Sequence, residues 1–369
     1  MSSDTKTIEI CFIAPKAYPL FNPDVKKVFG GAEVDLYSLA TELAKDENFA
    51  VSFITADYGQ AKIETIEAVR IIKSLTFKEN PLSGAFKVWR AMRAADAQIY
   101  FQEAASLGTF LVALFCKLHK RVFIYRTAHE RECNGTYLKQ HLFAGKAFPW
   151  ALRNAAQVIV QNEIDKETLE RTTGVPSTVI PNAHHLPVLS KGKRDIILWV
   201  GRSAPFKRPE LFIDLAARFP NEQFVMICQR ATGDENYEAL IARTREIKNL
   251  QFIERVPFAD IDSYFKRAKV FINTSDSEGY PNTFIQACKY ATPILSLCVN
   301  PDNFLNNFDC GICVDDDWGR FISEVKVLVR PQERARYGKN ARQYAEQKHN
   351  LEKIAERYKG MFSRLVCSA

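Results

Sequence analysis

The stretch Ile196-Ile197-Leu198-Trp199-Val200-Gly201-Arg202-Ser203-Ala204-Pro205-Phe206-Lys207 runs five apolar residues straight into a turn holding a glycine, a proline and two cations. An unbroken apolar run of that length reads as a strand covered on both faces, and Pro209-Phe219 behind it reads as a helix. The same unit recurs downstream. Strands are expected at Gln223-Cys228, Gln251-Val256, Val270-Thr274 and Pro293-Leu297, with helices at Tyr237-Ile247, Ile261-Ala268 and Asn282-Tyr290 between them. Apolar strand-length runs alternating with amphipathic helix-length stretches are the pattern of parallel βαβ units, so the chain is α/β.

Working outward, the first half repeats the pattern. Strands are expected at Ile8-Ala14, Ala50-Ala56, Val69-Leu75, Ala97-Gln102, Arg121-Thr127, Gln157-Gln161 and Ser177-Ile180, and Ala32-Lys45 carries an apolar stripe of helical period. A polar, Pro-containing stretch from Pro181 to Lys193, including Leu189-Ser190-Lys191-Gly192-Lys193, reads as the connection between two domains. Residues 1–188 and 189–349 form these two Rossmann-like domains, followed by a terminal helix over 350–369. Pro331 to Leu365 is charged and helical in pattern throughout.

Composition sets bounds. At 369 residues, 47% hydrophobic and 25% charged, the chain matches two soluble globular domains, and disordered or fibrous architectures are excluded. The longest apolar run, Leu107 to Cys116, is about half of a bilayer crossing. Asp4 and Lys6 ahead of the first strand and Glu9 at its start lack the layout of a signal peptide, so a cytosolic protein is expected. A net charge of +7 gives no argument for nucleic acid but suits an anionic substrate or membrane surface. Nine scattered cysteines read as reduced thiols. The close pair Cys310 and Cys313 lacks a second pair, so it reads as two small residues on a strand and no metal is expected.

Open parallel sheets bind ligands at the carboxyl ends of their strands. Arg202 and Lys207 therefore surround a turn leading into a helix, where cations and unpaired amides converge on an anion such as a diphosphate. Two solvated charges in a surface loop is the other reading of those residues alone. Strand Val270-Thr274 ends in Ser275-Asp276-Ser277-Glu278-Gly279-Tyr280-Pro281-Asn282-Thr283. Glu278 can accept hydrogen bonds from sugar hydroxyls, while amides from Gly279 to Thr283 open a helix toward an anion.

The segment Ser277 to Ala287, followed by Ala291-Thr292-Pro293-Ile294, resembles the signature of the retaining GT-B glycosyltransferases of group 1, which are family 4 like. That pattern has two acids eight positions apart, here Glu278 and Gln286. Gly201-Arg202 to Lys207 resembles its diphosphate clamp, Phe29-Gly30-Gly31-Ala32-Glu33 its amino-domain glycine loop, and Val179-Ile180-Pro181-Asn182 its pre-hinge strand. The resemblance implies a GT-B fold, two Rossmann-like domains facing across a cleft with the last helix returning to the first domain. It implies a nucleotide-diphosphate sugar as donor, a hydroxyl acceptor in the first domain, and no cofactor or metal beyond the donor. Glu278 would contact the transferred sugar, Arg202 and Lys207 the diphosphate, and Gln286 the ribose. Gly30 and Gly31 would let backbone approach the phosphates, His129 would stand near the transferred sugar, and Val256 would lie near the base.

Three departures stand out: Gln286 replaces the second acid, Cys228-Gln229-Arg230-Ala231 replaces a glycine-containing loop, and Ala183 replaces a glycine. Gln286 is the sequence support for a second reading, a catalytically silent protein that binds a nucleotide sugar or supports a partner enzyme. A GT-B epimerase or phosphorylase is the third. Neither a G-x-G-x-x-G turn nor a phosphate loop ending in Gly-Lys-Ser/Thr occurs, which argues against NAD enzymes and P-loop NTPases. In the first domain Lys117, Lys120, Arg121, Lys139, Lys146 and Arg153 mix with Leu138, Leu142, Phe143, Phe148 and Trp150, and Pro149 is expected to interrupt any long helix. That mixture suits weak, salt-sensitive contact with anionic lipid, or an ordinary solvated basic face.

Overall fold

A computed structural model describes residues 7–190, 192–231, 233–258 and 260–367. Asp4, Lys6 and Lys191, used above for the amino terminus and the connection, lie outside the described residues. The chain divides into two compact units, residues 1–185 with 351–369 and residues 186–350.

Unit 1 runs β1 (Ile8–Ile13), α1 (Tyr18–Phe21), α2 (Gly31–Leu43), β2 (Phe49–Thr55), β3 (Ile63–Ile66), β4 (Val69–Lys73), α3 (Pro81–Ala95), β5 (Ile99–Glu103), α4 (Leu107–His119) and β6 (Val122–Arg126). It continues with α5 (Glu130–Cys133), α6 (Thr136–Gln140), α7 (Leu142–Arg153), β7 (Gln157–Val160), α8 (Glu163–Thr173) and β8 (Thr178–Val179). Its sheet has the order β3-β4-β2-β1-β5-β6-β7-β8, parallel except for β3 against β4. Sequence reasoning missed β3. Its hairpin turns on Glu67 and Ala68, both at positive φ, rather than on the Asn-Gly or Asp-Gly pair that announces such a turn.

Unit 2 runs β9 (Ile196–Arg202), α9 (Pro209–Arg218), β10 (Gln223–Gln229), α10 (Tyr237–Arg245), β11 (Leu250–Ile253), α11 (Ile261–Arg267), β12 (Ala268–Asn273) and α12 (Asn282–Lys289). After these come β13 (Ile294–Ser296), α13 (Phe304–Asn307), β14 (Gly311–Cys313), α14 (Trp318–Leu328) and α15 (Pro331–Lys348). All six strands are parallel in the order β11-β10-β9-β12-β13-β14. Residues of β9 alternate between two cores: Ile196 and Leu198 join Phe271 and Phe284, while Ile197 and Trp199 join Phe212 and Phe224. Covering on both faces explains why its sequence is continuously apolar.

One local expectation is corrected. Strand β11 stops at Ile253, not Val256: Glu254 and Arg255 are charged, Pro257 cannot donate a ladder bond, and Val256 falls in the following loop. The charged carboxyl stretch holds two helices. His349 and Asn350 break it, Leu351 N–H donates to the His184 carbonyl at 3.1 Å, and α16 (Leu351–Cys367) belongs to unit 1. There Phe362 packs against Phe49 and Phe101, and Lys359 pairs with Asp46 at 2.8 Å.

Helix α15 lies close against the turn before β13 because position 338 is glycine. A Cβ there would stand 2.3 Å from the Ala291 carbonyl oxygen, which is backbone and cannot swing away. Gly338→Ala is therefore expected to cost about 1–3 kcal/mol of stability despite better helix propensity. Gly360→Ala in α16, whose Cβ would meet only the flexible end of Arg364 at 3.7 Å, should be neutral or gain up to about 1 kcal/mol. Thermal unfolding of both variants checks this; equal melting temperatures would contradict the close approach.

Candidate functional site

Strands β9 and β12 are neighbours in one parallel sheet, so the segments leaving their carboxyl ends meet at one edge. Beyond Arg202 the chain makes a 3-10 turn over Pro205–Lys207 and enters α9. Three hydrogen bonds tie this loop to the one after β12. Thr274 Oγ1 donates to the Lys207 carbonyl at 2.6 Å, Arg208 Nε donates to the Thr274 carbonyl at 2.9 Å, and Asp276 N–H donates to the Phe206 carbonyl at 2.8 Å. The buried Thr274 oxygen in turn accepts Trp199 Nε1–H at 3.0 Å. Gly201 leaves the indole its space, since a Cβ would stand 2.7 Å from the Trp199 ring.

This frame brings Lys207 and Glu278 together. Their side chains form an ion pair, mostly shielded from solvent, and Ser275 Oγ donates to the same Glu278 oxygen at 2.8 Å. Ser275 is held by Asn273 Nδ2 at 3.2 Å, and Asn273 accepts from Ser296 on the next strand at 3.3 Å. Glu278 is thus oriented by a polar chain running across the strand tips. Arg208, unforeseen in the sequence, is at φ 45° and pairs with Asp276 at 2.6 Å and Asp316 at 2.8 Å, which leaves it committed to the frame. A second cation beside Lys207 in the sequence was the available signal.

Arg202 ends β9 exposed, and with the described residues its guanidinium makes no hydrogen bond or ion pair. Gly279 is buried, Asn282 and Thr283 form the first turn of α12, and Gln286 lies buried one turn on. No side chain caps α12 and its first turn has no acid, so although Phe284 N–H donates to the Pro281 carbonyl at 2.9 Å, the positive end of the helix dipole favours an anion there. The side chain of Tyr280 turns into the core: its ring packs on Phe304 and His349 and its hydroxyl meets Tyr344 at 2.5 Å. Val256 is buried in the core and lines a cavity of about 430 Å³ with Arg255, Pro257, Asp260 and Ser263. Strand β11 lies two positions from β9, about 10 Å across the sheet.

In unit 1, Gly30 and Gly31 open α2, but Gly30 N–H already donates to the Glu33 carboxylate at 2.7 Å. That amide is therefore not open to a phosphate. His129 caps α5, its Nδ1 accepting Arg131 N–H at 3.2 Å, which assigns the proton of the neutral ring to Nε2. Sequence reasoning missed a buried charge network at the strand ends. Arg126 donates to Glu103 at 2.7 Å, to Asp35 at 3.3 Å and to Asn182 at 2.5 Å, and Gln161 reaches Glu103 at 3.3 Å. Burial works against the Arg126 cation, but Glu103, Tyr358 and Asp35 together more than restore it. With two carboxylates facing one guanidinium, burial holds Glu103 well above the ordinary carboxylate range despite Arg126.

Next to His129, Glu132 is 6% exposed and accepts the Tyr125 hydroxyl at 2.5 Å and Ala128 N–H at 3.2 Å. Burial outweighs these bonds and pushes its carboxyl up to about 7. Among the described residues no cluster of His, Cys, Asp or Glu is placed to hold a metal ion, and no helix is long and apolar enough to cross a membrane.

Two such Rossmann-like units in one chain define the GT-B fold. The profile for glycosyl transferases group 1 matches residues 183–344, and that for glycosyltransferase family 4 matches residues 29–186. The chain belongs to these group 1, family-4-like glycosyltransferases. No curated protein matches the sequence. Among solved structures it is similar to sucrose-phosphate synthase from Thermosynechococcus elongatus, with TM-score 0.78 and 17% identity over 98% of this chain and 99% of that one. HepE of Anabaena, in complex with UDP, matches at TM-score 0.70 and 13% identity over 97% and 100%. The N-terminal domain of trehalose-6-phosphate phosphatase from Candida albicans matches at 0.71 and 10% over 98% of each. At these identities the likeness is one of fold.

A carboxyl raised in the folded state stabilises fully below its unfolded pKa, and that contribution is lost as pH rises through the folded value. Glu132 should therefore withdraw stability between about pH 4.5 and about pH 7, on the order of 3 kcal/mol at most. Glu132→Gln, which keeps the shape without the charge, should flatten this fall. Urea midpoints at about pH 5 and about pH 8 measure it; identical slopes in both proteins would contradict the assignment.

Proposed function

We propose that this protein is a retaining glycosyltransferase that takes a nucleotide-diphosphate sugar on unit 2 and passes the sugar to a hydroxyl acceptor, a glycan, lipid-linked or small molecule, held by unit 1. The observation that carries the reading is the Lys207–Glu278 pair at the joined tips of β9 and β12, beside the uncapped start of α12. A cation and a carboxylate in direct contact suit a ligand that is anionic at one end and hydroxylated at the other. Donor binding would draw Lys207 from Glu278 to the diphosphate and leave Glu278 to accept sugar hydroxyls. Arg202, exposed at the strand tip, supplies the second cation. The UDP bound by the similar HepE supports a nucleotide donor.

Bond cleavage at the anomeric carbon puts negative charge on the departing diphosphate. Lys207, Arg202 and the α12 amides are set out in advance for that charge, the form of catalysis that usually contributes most. In this reading the leaving phosphate takes the acceptor proton on the same face, His129 stands near the transferred sugar, and no step calls on a metal. The alternative of a silent nucleotide-sugar binder rests on Gln286, which is buried on α12 and cannot exchange protons as an acid would.

A thermal-shift screen of nucleotide-diphosphate sugars identifies the donor, and turnover with that donor tests the roles. Lys207→Ala and Arg202→Ala should each lose about a hundredfold in kcat with little loss of stability. Glu278→Gln should be far more damaging than Gln286→Glu. Donor binding with no transfer and no hydrolysis would move the protein to the silent reading, and equal tolerance of the last two changes would sink the roles given to them.

We further propose that the enzyme works in the cytosol with unit 1 resting weakly on anionic lipid. Leu142 and Phe143 on α7 are 77% and 84% exposed, Leu107 and Leu118 on the adjoining α4 are 63% each, and Lys117 lies over Trp150 at 5.2 Å. Helix α7 runs through Pro149 without interruption, contrary to the sequence expectation, because only the single bond to the Gly145 carbonyl is forfeited. Liposome co-sedimentation should show binding to anionic vesicles that high salt abolishes. Absent binding at low salt, or binding that survives high salt, contradicts it.

A further inference from the structure

A second concavity of unit 2 lies at the other edge of its sheet. It has a volume of about 510 Å³, within the range of about 300–1,000 Å³ usual for small-molecule sites. Arg194, just before β9, and Ala291, just before β13, line it, whereas Arg202 and Glu278 follow the ends of β9 and β12. The seven residues of β9 separate the two edges by roughly 20 Å.

Its wall is α15, held close by Gly338. Two rows of α15 line the concavity: Arg334 and Arg342, eight positions apart with Gly338 between them, and Ala335, Lys339 and Gln343 at i, i+4 spacing. Four of the lining residues are cations, Arg194, Arg334, Lys339 and Arg342, and among the described lining residues none is acidic. Arg194 is fixed by the Ala268 and Tyr290 carbonyls and the Thr292 hydroxyl, and Arg342 by the Lys289 carbonyl and Glu346 outside the concavity. Arg334 spends one weak bond on the Val329 carbonyl at 3.3 Å. Burial, and then the neighbouring Arg334 charge, depress the basicity of Arg194. Like charges gathered in a partly shielded cleft repel one another, and an anion between them would relieve that cost.

We propose that this concavity is a second ligand site, separate from the donor site, that takes a phosphate ester: the phosphate between Arg334, Lys339 and Arg342, and a small organic body against Leu189, Pro331 and Ala335. Guanidinium groups held in place by protein carbonyls are suited to recognising phosphate oxygens. The volume exceeds what a bare phosphate fills and the apolar lining has no use for one. A free phosphate ester and a phospholipid headgroup share this chemistry.

The test uses the full chain carrying Arg202→Ala and Lys207→Ala, so that the donor-side cations cannot bind the probe. Calorimetric titration with glycerol 3-phosphate should show saturable binding with the same affinity as the unaltered chain's second site. Adding Arg334→Ala and Lys339→Ala should weaken it by about tenfold or more. Lys339→Glu, a change at an exposed helix position, should do the same without touching packing, and unchanged melting temperature without ligand shows that the fold survives. Vesicles of phosphatidylcholine with and without phosphatidic acid separate the sources. Binding that needs phosphatidic acid and Lys339 identifies a headgroup, and glycerol phosphate binding without vesicle binding identifies a free ester. No saturable binding in the Arg202→Ala/Lys207→Ala chain, or equal affinity after Lys339→Glu, overturns the proposal whatever the fate of the transferase reading.

Discussion

Parallel adjacency of β9 and β12 is the constraint on which the candidate site depends. Parallel strands deliver their following loops to one edge, and Thr274 locks the two loops there through one hydroxyl that both accepts from Trp199 and donates to Lys207. Remove the adjacency and Lys207 and Glu278, which are 71 positions apart, have no reason to meet. The cost of gathering charge at this edge is spread over many partners. Arg208 holds Asp276 and Asp316, and Lys207 and Ser275 hold Glu278, so these charges have fixed neighbours before any ligand arrives, while Arg202 has none among the described residues.

Unit 1 meets a related problem in a drier setting. Arg126 is 3% exposed, and its bonds to Glu103, Asp35 and Asn182 join β5, β6, α2 and the segment after β8. Truncating one partner of such a network commonly costs several kcal/mol, since the others are left charged without water. This explains how a strand end can carry charge in a core and why the segment after β8 has a defined place. Glu132, with its carboxyl near neutrality beside His129, shows the same burial acting on a lone acid.

Unit 2 carries positive charge at both edges of one sheet, and the two sets differ in kind. At the carboxyl edge the cations face carboxylates and helix amides, a mixed surface fitted to a ligand of mixed character. At the amino edge Arg194, Arg334, Lys339 and Arg342 face one another across an apolar floor. The roughly 20 Å that β9 puts between the two edges is about twice the distance over which salt screens exposed charges, which keeps the exposed cations of one edge apart from those of the other.

Period and composition made the α/β class, the tandem halves and most strand positions legible, because a strand buried on both faces must be apolar along its middle, as Ile196 to Val200 of β9 and Val270 to Ile272 of β12 are. The carboxyl-edge rule pointed from there to the loops holding Arg202, Lys207 and Glu278. What the sequence left open was partnership. Nothing local in Tyr280 says that its ring turns inward to Tyr344, and nothing in Gly30 says that Glu33 takes its amide. The Arg126 network joins residues up to 91 positions apart, and β3 turns on residues that carry no turn signal. Periodicity reports which face of an element is dry, a property each segment has alone. Which charge meets which depends on strand order and register, and these are fixed only when the whole sheet assembles.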